Sequence, residues 1–299
     1  SHPAARYLMP QHTVRGMMFM LLGVSFLSLM DSGVKSLLGS EVSVIQIMAI
    51  RGWIITGVLL LLLPARGGWS ALATGRIRLH LLRTGIGFFA PLCIFLSLKY
   101  LPLADATAIF FCTTFFMTAG SIFVLGEQVG FHRWSAVIIG FIGVLVVSSP
   151  GTDSFHPASI LALISGASYA GIVLSGRLLT RTDEPFKLVF YFNAFNTVVA
   201  TLLLPFFWNT LDLELLALLF LVSALALAGY FSLTHAISIA PIGAIAPIEY
   251  VALAWAALLG YLFWGEIPGF STWIGIGIIL LAGLYIMWRE SRPVAQNVA

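Results

Sequence analysis

The long apolar runs of this 299-residue chain hold few ionisable side chains, and those few are where chemistry has to be sought. Asp31 and Lys35 stand four apart in the first run, a spacing that puts both on one helix face and allows an ion pair. Such a pair serves as a gate or a charge-binding site, or is a structural pair with a Lys reaching for the interface. Arg51 lies well inside the second run, where a guanidinium needs a partner, and a structural or gating role is favoured over ligand contact. Glu249, in "APIEY", is the acid most deeply placed in the second half. A carboxylate in apolar surroundings receives an ammonium, takes up a proton, or is held by hydrogen bonds from neighbouring helices, and these three readings stay open. Asp105 has the position and chemistry of a helix cap. Asn193, with Asn196 nearby, is expected to supply interhelical hydrogen bonds. His235 stands far from the loops, as an interior hydrogen-bonded residue or as a group that titrates near neutrality.

Aromatic residues are abundant, and those beside small or polar neighbours are the candidates to line a substrate site: Tyr100, Phe110, Phe111, Tyr169, Tyr230, Tyr250 and Trp255. Ser165, Ser168 and Tyr169 fall in "SGASYAG", where small residues permit close helix approach or leave room for a ligand. Aromatic faces suit an ammonium, and "PIGAIAP" between Pro241 and Pro247 has the makings of irregular backbone at a helix start. A plain loop is the alternative for that stretch.

These side chains must be positioned by membrane helices. The chain is 60% hydrophobic and 9% charged, against roughly 25% charged in a soluble domain. Runs of about 20 apolar residues, enough to span a bilayer, fall near 15–38, 44–64, 79–99, 103–125, 131–149, 157–178, 185–206, 213–239, 243–263 and 269–289. Segments such as "LLALLFLVSALALA" are apolar all round, unlike the alternating strands of a β-barrel. The first run is long enough to span and reads as a helix, not a cleaved signal. Arg6, Arg15, Arg66, Arg76, Arg78, Arg83, Arg133, Arg177, Arg181, Lys187, Arg289 and Arg292 gather on one side of this threading, with Lys35 and Lys99 on the other. That bias puts both termini in the cytoplasm. Scattered cations argue against nucleic acid. Cys93 and Cys112 have no metal-ligand pattern and read as buried small residues. No cofactor or metal is expected. Neither a P-loop, nor H-E-x-x-H, nor G-x-S-x-G is present, which argues against a primary pump or an intramembrane enzyme.

One loop is written twice. "GEQVGFHRW" (126–134) and "GEIPGFSTW" (265–273) share Gly, Glu, Gly, Phe and Trp at an offset of 139, and "LPLADATAIFF" aligns with "APIGAIAPIEY" at the same offset. An offset of 142 pairs Arg51 with Asn193, and "SGVKSLL" resembles "SGRLL". Residues 1–149 and 157–289 thus read as two copies of five spans, followed by a cytoplasmic tail at 290–299. Five being odd, the second copy is inverted, an arrangement frequent in secondary transporters with a site between the halves. A plain stable bundle is the alternative. The repeated loop itself reads as a hairpin corner in which Gly126 or Gly265 ends a helix.

The duplicated unit, the "GE" after spans 4 and 9, and "PIGAIAPIEYVALAWAALLGYLFWGE" (241–266) resemble EamA-type members of the drug/metabolite transporter superfamily. The wording of "APIEY" is most similar to the bacterial aromatic amino acid exporter branch. The resemblance implies an all-α membrane protein of ten helices in two inverted five-helix repeats around a central cavity. It also implies a place in the bacterial inner membrane and export of amino acids or related metabolites, aromatic or hydrophobic ones foremost. Other metabolites or drugs are the alternative cargo. The partners implied are a small-molecule substrate and membrane lipid. One departure is that Thr114 and Leu253 stand where many relatives carry Pro, about 13 residues before the repeated Glu.

Overall fold

The computed structural model describes residues 11–126, 130–152, 155–240 and 245–290. The described chain is helical, with no strand among those residues. The helices are α1 (Gln11–Gly39), α2 (Val44–Leu62), α3 (Ile77–Leu98), α4 (Leu103–Phe110), α5 (Thr113–Leu125), α6 (Phe131–Ser148), α7 (Ala158–Leu179), α8 (Pro185–Leu203), α9 (Leu213–Ile239), α10 (Val251–Trp264) and α11 (Phe270–Glu290). Short 3-10 turns occupy Pro64–Arg66, Gly68–Leu72, Leu204–Phe206 and Ala246–Tyr250. Seven helical stretches are long and apolar enough to cross a membrane, and three shorter apolar ones lie at Trp134–Ser148, Ile248–Trp264 and Phe270–Ile286. With apolar residues on every side, these helices gain their order from packing and internal hydrogen bonds, since lipid offers the backbone no partner.

Local chemistry sets several ends. Ser43 accepts the Gln46 N–H at the start of α2 (3.1 Å) and Asp212 the Leu215 N–H at the start of α9 (2.8 Å), each satisfying an orphan donor. Gly126 and Gly265 close α5 and α10 at φ 68° and 64°, the left-handed region open to glycine.

Expected span 4 is not one straight helix. Phe111, Cys112 and Thr114 donate to Ala108, Ile109 and Phe111, three residues back. This tighter bonding separates α4 from α5, with Phe110 and Phe111 at the bend. The ninth span likewise begins in a 3-10 turn holding Glu249 and Tyr250 before α10 takes over. Residues 241–244 of "PIGAIAP" lie outside the described residues.

The helices pack in pairs: α1 along α9, α3 along α7, α6 along α11 and α2 against α8, with α4 touching α10. Two crossings bring backbones together through glycines. A Cβ at Gly23 would stand 3.1 Å from the Gly229 carbonyl, and one at Gly229 would stand 3.3 Å from that of Gly23. Gly143 and Gly275 do the same for α6 and α11, at 2.8 and 2.6 Å. With no hydrophobic drive between helices in lipid, such close approach is how transmembrane pairs gain cohesion.

Candidate functional site

Two polar clusters mark opposite ends of the bundle. At one end, Lys35 from α1 forms an ion pair with Glu266, donates to the Leu101 carbonyl (2.7 Å) and stands 5.4 Å over the Trp264 ring. The other Glu266 oxygen accepts the Leu103 N–H (2.9 Å). Nearby, Thr272 donates to Asp105 (2.7 Å). This corrects two expectations. Lys35 pairs with Glu266, not Asp31, because the corner after α10 brings a carboxylate against the end of α1. The start of α4 is capped by Glu266 from afar, while Asp105 accepts from α11. Asp31 instead lies in the electrostatic field of Arg51, which contacts Met30 Sδ (3.3 Å) and stands 5.1 Å over the Phe95 ring.

At the other end, His80 is fully buried and its Nε2 donates to Asp183 (3.0 Å). Thr74 donates to the same carboxylate (2.7 Å), and Lys187 stands 3.6 Å away. Burial pulls the Asp183 carboxyl upward, but the hydrogen bonds from His80 and Thr74 and the Lys187 ammonium outweigh it. They hold the group below the usual carboxylate range. His80 Nδ1 is buried without a hydrogen-bond partner, and the sequence reading, which marked His235, missed this more enclosed histidine. His235 lines an open groove of about 590 Å³ with Arg15, Phe19 and Ile239, its ring edge-on to Phe19 at 4.5 Å.

Between the ends, Tyr169 of α7 meets Phe110 of α4 (centroids 5.5 Å apart) and lies in the electrostatic field of Glu249, Tyr230 and Arg83. Five elements thus converge there: α3, α4, α7, α9 and the 3-10 turn before α10. Tyr169 and Tyr230 keep 43% and 47% of their surface accessible, although protein surrounds Tyr169 densely. Glu249, on the turn before α10, is exposed as well. Phe111 stacks on Tyr250 at 5.1 Å, and Glu249 acts on Tyr250 as well. Arg83 was counted among the end cations, yet it reaches the Ile172 and Leu188 carbonyls (both 3.2 Å). Ile172 stands one turn from Tyr169, so Arg83 belongs to this layer.

Several expected residues stay outside it. Ser165 is fully buried and donates to Ala90 (2.7 Å), tying α7 to α3. Ser168 is buried. Tyr100 stacks on His156 at 5.6 Å, where α3 ends. Trp255 donates to Ser25 (2.9 Å), joining α10 to α1. Asn193 and Asn196 donate within their own helix, to Val189 and Phe192, and among the described residues neither makes the expected interhelical bond. A carbonyl four residues back is simply nearer than the next helix. The α2–α8 contact is made by threonines and a tryptophan, with Thr56 bonded to Thr197 (2.9 Å) and Trp53 to Thr201 (2.8 Å).

The sequence profile of the EamA-like transporter family matches the chain twice, over residues 14–149 and 156–288. The chain belongs to the EamA-like transporter family. This EamA-like protein is 26% identical over 281 residues to an S-adenosylmethionine uptake transporter of Rickettsia bellii, covering 93% of this chain and 96% of that one. A pseudopaline exporter of Pseudomonas aeruginosa is 28% identical over 241 residues (79% and 84% covered). A riboflavin transporter of Brucella anthropi is 28% identical over 256 residues (82% and 88%). A solved crystal structure 17% identical superposes with a TM-score of 0.61, covering 94% of this chain and 99% of that chain, which speaks to the fold alone. The protein is therefore a transporter of small molecules rather than an enzyme, and relatives named for uptake stand beside one named for export.

Proposed function

We propose that this EamA-like protein is an alternating-access secondary transporter of amino acids and amino-acid-bearing metabolites, with an aromatic or hydrophobic remainder, in a bacterial inner membrane. Glu249 receives the positive end of the cargo, and Phe110, Tyr169 and Tyr230 receive its planar or apolar part. The observation that carries this reading is the absence of a countercharge. Asp31, Lys35, Arg51, Arg83 and Asp105 each meet an opposite charge, a hydrogen bond or a ring. Among the described residues no cation pairs with Glu249, whose electrostatic neighbours are Tyr169 and Tyr250. A carboxylate left so in a membrane interior is costly unless a ligand or proton satisfies it. Onium groups are also what aromatic faces attract, and S-adenosylmethionine, named for one relative, carries a sulfonium and an amino-acid group.

The packing pattern supports two inverted halves and ten crossings. Exchanging each first-half helix for its sequence counterpart turns the α1–α9 contact into α7–α3, while α2–α8, α6–α11 and α4–α10 map onto themselves. Phe111 and Tyr250, which stack on one another, are counterparts at the 139 offset. Counterparts in mutual contact belong on a two-fold axis, and the 3-10 bends of both spans fall there. Carriers built on such repeats expose one site alternately to the two sides. Direction then follows the gradients, outward in a cell rich in its own amino acids.

Proteoliposomes preloaded with labelled L-phenylalanine, L-lysine, S-adenosylmethionine or riboflavin test the reading. Saturable flux and counterflow of the amino-acid-bearing probes are expected. Saturable flux of riboflavin alone would overturn the substrate class, and non-saturable flux of every probe would overturn the carrier.

A further inference from the structure

We propose that Lys35 and Glu266 are a latch that closes the mouth of the bundle opposite the start of α1 and parts once in each transport cycle, an inference that rests on the alternating-access reading above. The ion pair joins three corners. Lys35 lies about one turn before the end of α1, Glu266 lies between α10 and α11, and the Leu101 carbonyl and Leu103 N–H flank the corner between α3 and α4. The second half of the chain is thereby fastened to the first by side chains from both. Leu103 is seven residues before Phe110, roughly 10 Å along a helix, so the pair lies just beyond the layer of Phe110 and Tyr169 on the way out. Thr272 and Asp105 add a second strap across the same gap, from α11 to α4.

The chemistry suits an element that opens. The side chains of Lys35 and Glu266 retain 10% and 22% of their exposure. Desolvation of a partly buried ion pair roughly cancels its attraction. Parting it at a mouth returns both charges to water, so opening is cheap, whereas an apolar plug would lose its whole burial energy. Removing one partner is a different matter, because the closed form then traps an uncompensated charge while the open form does not.

The test uses the full chain in proteoliposomes, with Cys93→Ala and Cys112→Ala to remove native thiols and Thr107→Cys one turn inside Leu103 as a reporter. A membrane-impermeant maleimide is applied from the mouth side. Slow but measurable labelling is expected of this parent, and labelling about tenfold faster of its Lys35→Met and Glu266→Gln forms, the scale of one charge-assisted hydrogen bond. A parent fully protected from the reagent, or folded variants labelled no faster than the parent, would make the pair a fixed strut and overturn the proposal. Should the single variants fail to elute as folded protein, the parent's own labelling still decides. In a second arm, Lys35→Cys with Glu266→Cys in the thiol-free background is bridged by a short bis-maleimide. Bridging should abolish flux of L-phenylalanine and S-adenosylmethionine, and unchanged flux would overturn the latch. Labelling needs no substrate, so an error in the substrate class shows up in the flux panel and leaves the labelling result standing.

Discussion

At the scale of single residues, Glu249 stands apart among the described residues as an interior carboxylate with no cation paired to it. Replacing Glu249 with Gln keeps the shape and removes the charge, so the variant should bind every ammonium-bearing probe about tenfold or more weakly, the worth of a hydrogen bond to a charged group. The KM for L-phenylalanine and for S-adenosylmethionine in the flux assay reads this directly, and an unaltered KM for both would take Glu249 out of recognition. Asp183 gives a second residue-level expectation. Its folded value lies below the ordinary carboxylate value, so its contribution is present in full above about pH 4 and is lost as pH falls through the folded value. Unfolding in detergent should find Asp183→Asn less stable than the parent by about 1 kcal/mol at neutral pH, with the gap closing in acid below that range. Glu249 could be read from the sequence because a carboxylate in an apolar run stands out. Arg83 and Glu266 could not: each sits near a run's end, where solvated charges are the ordinary reading, and only the fold shows Arg83 turned inward and Glu266 reaching another corner.

At the scale of elements, hydropathy placed the helices closely because lipid demands uniformly apolar segments of fixed length. What it left unseen is the bend between α4 and α5, since no Pro or Gly marks Phe110–Thr113 and the cause lies in local 3-10 bonding. The ninth span is the opposite case, with Pro247 announcing the irregular start that holds Glu249. Glycine at crossings was legible only as composition; which glycine meets which helix is a property of packing. Gly23→Val and Gly275→Val would drive side chains into the facing carbonyls of Gly229 and Gly143. Each should destabilise the protein by about 1–3 kcal/mol, read as earlier thermal unfolding in detergent. Gly57→Val is the control, since a Cβ there meets nothing within 4 Å.

At the scale of the whole molecule, the cations outside the interior lie toward the ends, Arg66, Arg76, Arg177, Arg181 and Lys187 toward one and Lys35 and Lys99 toward the other, while Arg51 and Arg83 lie within. Under the positive-inside rule, reporter domains fused to either terminus should both register as cytoplasmic, and a split result would contradict ten crossings. The repeated corner falls once in each of the two stretches that the family profile matches, 14–149 and 156–288. The contact between Glu266 and Leu103 has a further consequence, for biosynthesis. The donor at the head of α4 is 163 residues from the carboxylate that satisfies it. At ~5–20 residues per second of synthesis, the ribosome needs roughly ten to thirty seconds to deliver that carboxylate. During this interval the Leu103 N–H lacks the partner it has in the finished fold. Neither half is finished as a folding unit until the last helix pair has been translated, so a truncated chain ending before Glu266 is expected to be recognised by membrane proteases.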